Sequence, residues 1–387
     1  MRVAFTLIGF EGWTGGSQYQ RHLFSTMASA RRNLLQPILF VGQKVSQGEI
    51  DPFRSYVSEI VVDPCFDKWT PSWAARQLLT MVAQRDSRTE KVFRKHRVDV
   101  VFFSGFFGAR FSVPVVNWIA DFQHARMPKM FSARERLMRN FVFRMLAQSA
   151  KRLILNSESV KRDFEAFLPA YVDRVDVLRF CAQIPLEIYE ATPYKELHPY
   201  DIPEKFFHLP NQFWKHKNHY AVIRALETLK DRGRKVCVVC TGKEQDYRHP
   251  DHFDFIKKEI SKRGVADQIF LKGLVPVRHL YLFMRQSISV LNPSLFEGWS
   301  TSVEEARSLG KPTLLSAIPA HREQNPPGGI YFDPRDPEDL ADKMWSIWTD
   351  RDAGPDVETE RKAIVEMEKR AAAFAEGFAN ILRKALA

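Results

Sequence analysis

NPSLFEGWSTSVEEARSLGKPTLLS, residues 292–316, contains the clearest structural pattern in this chain. It consists of the end of an apolar strand, a loop with Glu297 and Gly298, a helix with Glu305, and a second apolar strand. The first backbone N–H groups of such a helix lack intrahelical partners, and together with the helix dipole they attract anions. Gly298 lets the backbone approach a ligand closely. The pattern therefore predicts a site for a polar ligand that carries phosphate.

The same stretch resembles the signature of the retaining glycosyltransferases of family 4, which have the GT-B fold. The family pattern is roughly Glu-Gly-Phe-Gly, an apolar stretch, Glu-Ala, and later Gly-x-Pro-Val. In this chain those places are filled by Glu297, Gly298, Trp299, Glu305, Ala306, Gly310, Lys311, Pro312 and Thr313. The resemblance covers nearly the whole chain, strongly in the second half and loosely before Asn156.

The resemblance implies a role for each of the two acids. Glu297 would hold the donor sugar's hydroxyls near the anomeric carbon, and Glu305 would hold the ribose hydroxyls. An alternative for Glu305 stays open, because the run from Ser302 to Glu305 is also a capping box, in which Glu305 would only satisfy backbone donors. The loop residues implied to bind the donor are Gly298, Trp299, Ser300 and Thr301.

Length and charge limit the classes of protein to consider. A chain of 387 residues predicts two domains. Its net charge of +11 favours an anionic partner, such as a nucleotide diphosphate, an acidic lipid surface or nucleic acid. Because the basic residues are scattered without a long run, we expect no nucleic-acid partner.

The cysteines predict a reducing compartment, the cytoplasm, because four dispersed residues are too few for a disulfide framework. Cys237 and Cys240 form a C-x-x-C within KVCVVCTG. That run is typical of a buried strand, in which positions three apart face opposite sides, so we predict no metal or redox site there.

Two other segments could be mistaken for membrane signals. The start, MRVAFTLIGF, predicts a first strand rather than a signal peptide, since it lacks a basic region and a cleavage site. The apolar region 98–120 is broken by Ser104, Gly105, Arg110 and Pro114. It therefore predicts two buried strands and not a membrane span, which needs about 20 uninterrupted apolar residues.

Short apolar runs alternate with amphipathic runs in both halves of the chain, which predicts parallel sheets covered by helices. The alternation pauses at a proline-rich stretch, 184–204. Two successive α/β units of similar size predict two Rossmann-like domains that face each other across a cleft, with the motif loops turned towards it. The resemblance implies that this is the GT-B arrangement. The predicted boundaries are 1–185 for the acceptor-side domain, 186–203 for the linker, 204–370 for the nucleotide-sugar-binding domain, and 371–387 for a C-terminal helix that, by resemblance, packs back on the first domain.

A glycine-containing loop follows the first strand, with glycines at positions 9, 12, 15 and 16. This spacing differs from G-x-G-x-x-G and argues against a hydride-transfer enzyme. It is similar to the Gly-Gly turn of the family, which implies that the amides of Gly15 and Gly16 approach the donor's phosphates. A tight turn without a ligand is the alternative.

The second domain begins with FFHLP, followed by NQFWKHKNHY. By resemblance, Lys217 is the cation that neutralises the leaving diphosphate. Asn211 and Gln212 stand in place of a family Gly-Arg, and Lys215 is the candidate second cation. A lysine where a helix dipole is already positive favours a phosphate ligand over a solvated surface residue. The resemblance also implies that backbone atoms at later strand ends bind the donor, at Gly242, Leu274 and Val275.

Many family members carry a His-Asp pair near NWIADFQHARMPKMFS. Aligned on Asp121, the histidine position is occupied by Ala120, and His124 lies three residues downstream. We predict Asp121 and His124 as catalytic residues, with a purely structural His124 as the alternative.

The basic, aromatic-rich span 126–152 allows two interpretations. Its apolar residues recur near helical spacing, which suits either a helix on an anionic membrane surface or, more commonly, a helix that packs on the core. The residues of this stripe are Phe131, Leu137, Met138, Phe141, Val142, Met145 and Leu146.

The sequence thus predicts an enzyme, a hexosyltransferase, that moves a sugar from a nucleotide-sugar donor to a hydroxyl of a glycan or lipid-linked glycan. By resemblance the anomeric configuration is retained. No Asp-x-Asp pair follows a predicted strand, so we expect no metal and no cofactor besides the co-substrate. The expected location is the cytoplasm, at the inner face of the cell membrane if the acceptor is lipid-linked. The alternatives are a non-catalytic basic protein that binds nucleic acid or anionic lipid, and a sugar-nucleotide epimerase of the same fold.

Overall fold

The computed structural model describes residues 1–7, 14–29, 35–103 and 105–387. The chain divides into two compact units. Unit 1 comprises Met1–Cys181 together with Glu368–Ala387, and unit 2 comprises Ala182–Met367. In the described residues, each unit is built on one parallel sheet with helices in the connections.

The sheet of unit 1, as far as it is described, has seven parallel strands in the order β3-β2-β1-β4-β5-β6-β7. Its strands are apolar along most of their length because both faces are covered by helices. The strands are β1 (Arg2–Thr6), β2 (Gln36–Val41), β3 (Glu59–Val62), β4 (Val100–Phe103), β5 (Val115–Ile119), β6 (Arg152–Leu155) and β7 (Val175–Val177). The region 98–120 therefore contains two strands, β4 and β5, as predicted.

Helices of unit 1 connect these strands. They are α1 (Thr14–Ser29), α2 (Gln47–Ile50), α3 (Pro71–Ala83), α4 (Ser87–Lys95), α5 (Gln123–Arg126), α6 (Ala133–Ser149) and α7 (Glu158–Phe167). The helical pattern of residues 72–95 would suit one long helix, but the chain forms α3 and α4 instead. Gln84 adopts a left-handed conformation (φ 54°) that ends α3, and the Asp86 side chain accepts from Thr89 N (3.1 Å) to begin α4.

The two faces of this sheet have separate cores. Phe5 of β1 packs against Phe24 of α1, with ring centroids 4.8 Å apart, and against Phe378 near the C-terminus. Phe40 of β2 packs in the other core against Phe93 of α4, also at 4.8 Å. Because neighbouring residues of a strand point to opposite faces, Phe5 and its neighbour Ala4 belong to different cores.

Helix α6 is buried near its C-terminal end, at Leu146 and Ala147. The alternative that its whole apolar stripe packs on the core is therefore wrong. The residues of the stripe that the structure exposes are Leu137, Met138, Phe141 and Val142.

Unit 2 repeats the same topology in its described residues, with the order β10-β9-β8-β11-β12-β13. The strand order reverses between β8 and β11, which is where open α/β sheets bind ligands. The strands are β8 (Phe207–Leu209), β9 (Val238–Cys240), β10 (Ile269–Leu271), β11 (Ser289–Asn292), β12 (Thr313–Ser316) and β13 (Ile330–Phe332). The helices are α8 (Leu186–Glu190), α9 (Pro193–Leu197), α10 (His219–Asp231), α11 (His252–Lys262), α12 (Val277–Gln286), α13 (Thr301–Ser308), α14 (Pro319–Gln324), α15 (Pro337–Asp350) and α16 (Val357–Leu386), whose last part belongs to unit 1.

Arg285 of α12 holds the first residues of unit 2 in place. Its buried guanidinium forms an ion pair with Glu360 of α16 (2.7 Å) and donates to the carbonyls of Tyr189 and Ala191, both at 2.9 Å. Residues 186–203, for which we predicted a linker, are thereby attached to unit 2 through α8 and the turn that follows it.

The four cysteines are free and buried, and Cys240 is the last residue of β9. Within the described part of the chain, none of the helices combines the length and the apolar composition that crossing a bilayer requires.

Candidate functional site

Asn211, Lys217 and Glu297 lie in segments that follow β8 and β11, the two neighbouring strands at which the strand order reverses. Backbone and side-chain bonds join these loops. Leu295 N donates to His216 O (2.8 Å), and Asn218 Nδ2 donates to Pro293 O (3.1 Å). Asn218 adopts a left-handed conformation (φ 58°) directly before α10 and so turns the chain into that helix.

Lys217 and Glu297 form an ion pair at the centre of this site. Lys217 Nζ lies 2.6 Å from Glu297 Oε1, and the two side chains are only 18% and 10% exposed. Burial raises the pKa of the Glu297 carboxyl, but Lys217, His321 and the hydroxyl of Ser294 together lower it by more. The pKa of Glu297 therefore lies below its usual range, and the carboxylate is charged at neutral pH.

Asn292, buried at the end of β11, connects three parts of the site. Its Oδ1 accepts from Asn211 Nδ2 (3.1 Å), and its Nδ2 donates to Ser300 Oγ (2.9 Å). The Ser294 hydroxyl lies 2.7 Å from the same Oδ1 and 2.6 Å from Glu297 Oε1. One amide thus joins the loop after β8, the loop with Glu297, and the start of α13.

Helix α13 begins two residues earlier than the capping-box alternative requires. Ser300 is the N-cap residue and Ser302 already lies inside the helix, so that explanation of Glu305 is wrong. Glu305 is buried in the second turn, and Trp299 is buried just before the helix. The amides of Thr301, Ser302 and Val303 have no intrahelical acceptors and are available to an anion, whereas Glu304 N already donates to Ser300 O (3.2 Å).

Helix α14 braces this helix start. Gln324 exchanges two bonds with the backbone of Ser300: its Oε1 accepts from Ser300 N (3.1 Å), and its Nε2 donates to Ser300 O (2.9 Å). His321 Nδ1 lies 2.9 Å from Ser316 O, an acceptor, so Nδ1 carries the proton. Burial lowers the pKa of His321 to about 4, and the ring is neutral.

Sequence reasoning missed both the α14 brace and the role of Asn292. The sequence offered one signal for α14, because Pro319 is typical of the first position of a helix. Asn292 offered another, as a polar residue at the end of an apolar strand.

Gly242 brings the loops after β8, β9 and β10 together. Its φ is 145°, and a Cβ atom here would lie 2.5 Å from Asn211 O, so a larger residue does not fit. Its N–H donates to Gly273 O (2.7 Å). Leu274, which follows, is exposed, and Val275 is partly buried.

Lys215 has an exposed side chain, and its backbone N–H donates to Asp246 Oδ2 (3.2 Å). The structure thus joins Asn211, Lys217, Glu297 and the start of α13 in one network, whereas the bond of Lys215 to Asp246 lies outside it.

The other predicted residues belong to unit 1. Gly15 and Gly16 lie in the first turn of α1, while Gly9 and Gly12 fall outside the described residues. Asp121 accepts from Gln123 N at 2.8 Å, which forms a tight turn before α5.

His124 is buried among aromatic rings of unit 1. Its ring centroid lies 5.1 Å from that of Phe143 and 5.8 Å from that of Phe167, and its Nε2 is 3.0 Å from Asn140 Oδ1. Burial lowers its pKa, so the ring is neutral at neutral pH. In the described residues, no group of three or more His, Cys, Asp or Glu side chains is arranged to hold a metal ion.

Comparison with known proteins identifies the domain that contains this network. Residues 198–375 match the family model described as glycosyl transferases group 1. No curated protein matches the chain in sequence. Several solved structures resemble it over its full length, at identities that show the fold alone.

One similar structure is HepE from Anabaena in complex with UDP and glucose, with 14% identity, a TM-score of 0.66 and 99% of each chain covered. Another is sucrose-phosphate synthase from Thermosynechococcus elongatus, with 14% identity, a TM-score of 0.67 and coverage of 99% of this chain and 98% of that one. A third is WaaG, a glycosyltransferase involved in lipopolysaccharide biosynthesis, with 16% identity, a TM-score of 0.60 and coverage of 98% and 99%. Residues 198–375 are therefore a group 1 glycosyl transferase domain, and the chain is a glycosyltransferase with the GT-B fold.

Proposed function

We propose that this enzyme transfers a hexose-like sugar, with retention of configuration, from a nucleotide-sugar donor to a hydroxyl of a glycan or lipid-linked glycan. The observation that carries the proposal is the Lys217–Glu297 ion pair beside the start of α13. The complex of HepE with UDP and glucose supports a uridine diphosphate sugar as the first donor to test. The role of WaaG in lipopolysaccharide biosynthesis supports a lipid-linked glycan as the first acceptor.

Departure of the nucleotide diphosphate requires stabilisation of negative charge. Lys217 has three N–H bonds and directs one of them at Glu297, which leaves the others for a phosphate oxygen. The first-turn amides of α13 add donors in a site from which much water is excluded, where each is worth more than in bulk water. We assign the charge compensation to these groups and to the amides of Gly15 and Gly16, rather than to a divalent cation.

Glu297 is proposed to orient the donor sugar. Both described contacts of its carboxylate, to Lys217 and Ser294, are made by Oε1. Oε2 can therefore accept from a sugar hydroxyl near the anomeric carbon. We assign the ribose hydroxyls to Glu305, and the donor sugar and acceptor hydroxyl to Asp121 and His124.

The test is release of nucleoside diphosphate from a panel of nucleotide sugars, with and without glycan and lipid-linked acceptors. Transfer predicts release that depends on an acceptor and persists in the presence of a metal chelator. An epimerase would convert the nucleotide sugar without an acceptor and without releasing diphosphate. Tight binding of nucleic acid or lipid with no turnover of any nucleotide sugar would contradict the proposal.

We further propose that the enzyme works in the cytoplasm, at the inner face of the membrane when its acceptor is lipid-linked. The four free, buried cysteines support a reducing compartment.

The Gln324→Ala variant tests the importance of the α14 brace for donor binding. We expect the Kd of UDP, measured by calorimetry, to rise about tenfold, because two hydrogen bonds that hold the start of α13 are lost and a buried N–H is left without its acceptor. Gln286→Ala is the matched control: this glutamine of α12 donates to Glu204 O (3.3 Å), and we expect an unchanged Kd. Equal Kd values for both variants would show that the brace does not position the donor site.

A further inference from the structure

Helix α3 of unit 1 has its apolar side on the outside. Leu78, Leu79 and Val82 are between 64% and 80% exposed, whereas Thr80 is buried. Arg76 faces inward, where it lies 3.5 Å from Asp86 and donates to Thr89 Oγ1 (3.0 Å). A helix on the surface of a water-soluble protein normally has the opposite arrangement, with its polar residues facing the solvent.

Trp69 extends this apolar surface just before α3. It is 80% exposed, and its ring centroid lies 5.1 Å from that of Trp73, with the two ring planes tilted by 48°. An exposed tryptophan beside an apolar helix face is typical of residues that lie at the boundary between lipid and water.

Helix α6 carries a second apolar stripe that faces outward. It is formed by two pairs of adjacent residues, and the pairs are four positions apart, about one turn of the helix. Their exposed fractions range from 40% to 72%. The residues of this stripe are Leu137, Met138, Phe141 and Val142. Contiguous exposed apolar surface of this kind marks an interaction site rather than ordinary protein surface.

The charges around α6 indicate which partner fits. Residues 126–152 contain eight basic side chains and a single acid, Glu135. The carboxylate of Glu135 is engaged in capping α6, where it accepts from Ser132 N (2.8 Å). An apolar stripe among arginines complements an anionic bilayer, while a second copy of this chain would bring like charges together.

Both helices lie on one side of the sheet. The connections from β3 to β4, through α3, and from β5 to β6, through α6, advance in the same direction across the strand order. Right-handed crossovers that advance in the same direction place their helices on the same face. The connection from β1 to β2, through α1, advances in the opposite direction, so α1 covers the other face.

We propose that unit 1 docks on an anionic lipid bilayer through the outward faces of α3 and α6. The apolar side chains enter the boundary between headgroups and acyl chains, and the arginines of α6 contact the lipid phosphates. This docking does not depend on the proposed reaction, because none of the residues involved belongs to the site in unit 2.

The test is sedimentation of the full-length protein with phosphatidylcholine vesicles that contain or lack phosphatidylglycerol, at low and high salt. We expect binding to the anionic vesicles that weakens with salt. The double variant Leu137→Glu with Phe141→Glu should bind about tenfold less tightly or worse, since buried apolar area and charge attraction are both lost. Leu78→Glu with Val82→Glu should have a similar effect through α3.

Phe255→Glu with Val365→Glu is the matched control, since both residues are exposed apolar positions of unit 2. We expect wild-type vesicle binding from it, and unchanged thermal unfolding from all variants. Failure of the wild type to bind anionic vesicles, or wild-type binding by the α6 variant, would overturn the proposal. Dissociation of a dimer by the α6 variant in light scattering, with vesicle binding unchanged, would assign the surface to a second copy. If the α6 variant lost binding while the α3 variant bound like the wild type, the proposed contact of α3 with the bilayer would be overturned.

Discussion

We expect the Glu297→Gln variant to transfer sugar with a kcat/KM about 10²–10³-fold lower than that of the wild type. The substitution keeps the size of the side chain but removes the charge that pairs with Lys217 at 2.6 Å. The ammonium group would then be attracted less strongly to its present position, and the sugar hydroxyl would lose a charged acceptor. Nucleoside diphosphate release with saturating acceptor measures the effect.

Glu358→Gln is the control for this variant. Glu358 lies on the surface of α16, where it pairs with Lys362 (2.6 Å), and we expect its substitution to leave transfer unchanged. Urea unfolding of both variants shows whether the protein remains folded. A folded Glu297→Gln protein with wild-type kcat/KM would remove this carboxylate from the mechanism and would leave the Lys217 assignment to be tested alone.

The strands of both sheets were predictable because parallel strands are buried on both faces and appear as short, continuous apolar runs. VDVVFF and VPVVNWI became β4 and β5 for this reason. The ends of the helices could not be predicted from these apolar runs, because they depend on local capping interactions. The break between α3 and α4 depends on the left-handed Gln84 and on the cap at Asp86, two residues that fit equally well in the polar face of one long helix.

The side of a helix that meets the core was harder to predict from periodicity. The spacing of Leu137 and Phe141 gives a stripe, but it does not say whether the stripe faces the sheet or the solvent. In the folded chain Leu146, at the C-terminal end of the stripe, packs on the sheet together with Ala147, while the middle of the stripe is exposed, at Leu137, Met138, Phe141 and Val142.

The residues of the candidate site likewise divide into those that the sequence predicted and those that it did not. Glu297 and Lys217 could be predicted as site residues only from their places in motifs that resemble the family, and their roles stay predictions. Gln324 could not, because its function depends on the folded position of a helix 24 residues from Ser300. Asn292 likewise joins loops that are far apart in the sequence, and only the pairing of β8 with β11 brings Asn211 to it.

The Lys217→Met variant should lose about 3 kcal/mol of the free energy of unfolding at neutral pH, because the nearly buried carboxylate of Glu297 is left without its cation. Adding Glu297→Gln should restore most of that stability, since neither charge is then present. Sugar transfer should remain lost in both proteins, because neither can offset the charge of the leaving diphosphate. Urea unfolding and diphosphate release of the wild type, the two single variants and the double variant form the cycle.

Lys362→Met provides the surface counterpart, and its pair with Glu358 should contribute little to stability because both groups are solvated. Equal losses in Lys217→Met and Lys362→Met, or a double variant no more stable than Lys217→Met, would show that the ion pair has no particular structural importance.

The pH dependence of the free energy of unfolding provides an independent check, because it should have opposite signs in the wild type and in Lys217→Met. In the wild type the pKa of Glu297 lies below its usual range, so the stabilisation by the pair is present at neutral pH and is lost as the pH falls through that lowered pKa. Without Lys217, burial raises the pKa of the carboxyl above its unfolded value of about 4.3. The folded state then binds the proton more tightly than the unfolded state, and stability increases as the pH falls towards the unfolded value. The stability deficit of Lys217→Met relative to the wild type should therefore shrink between pH 7 and about 4.5. A deficit that stays constant over this range would mean that the carboxylate is solvated in the variant and that Lys217 does not hold it in its charged form.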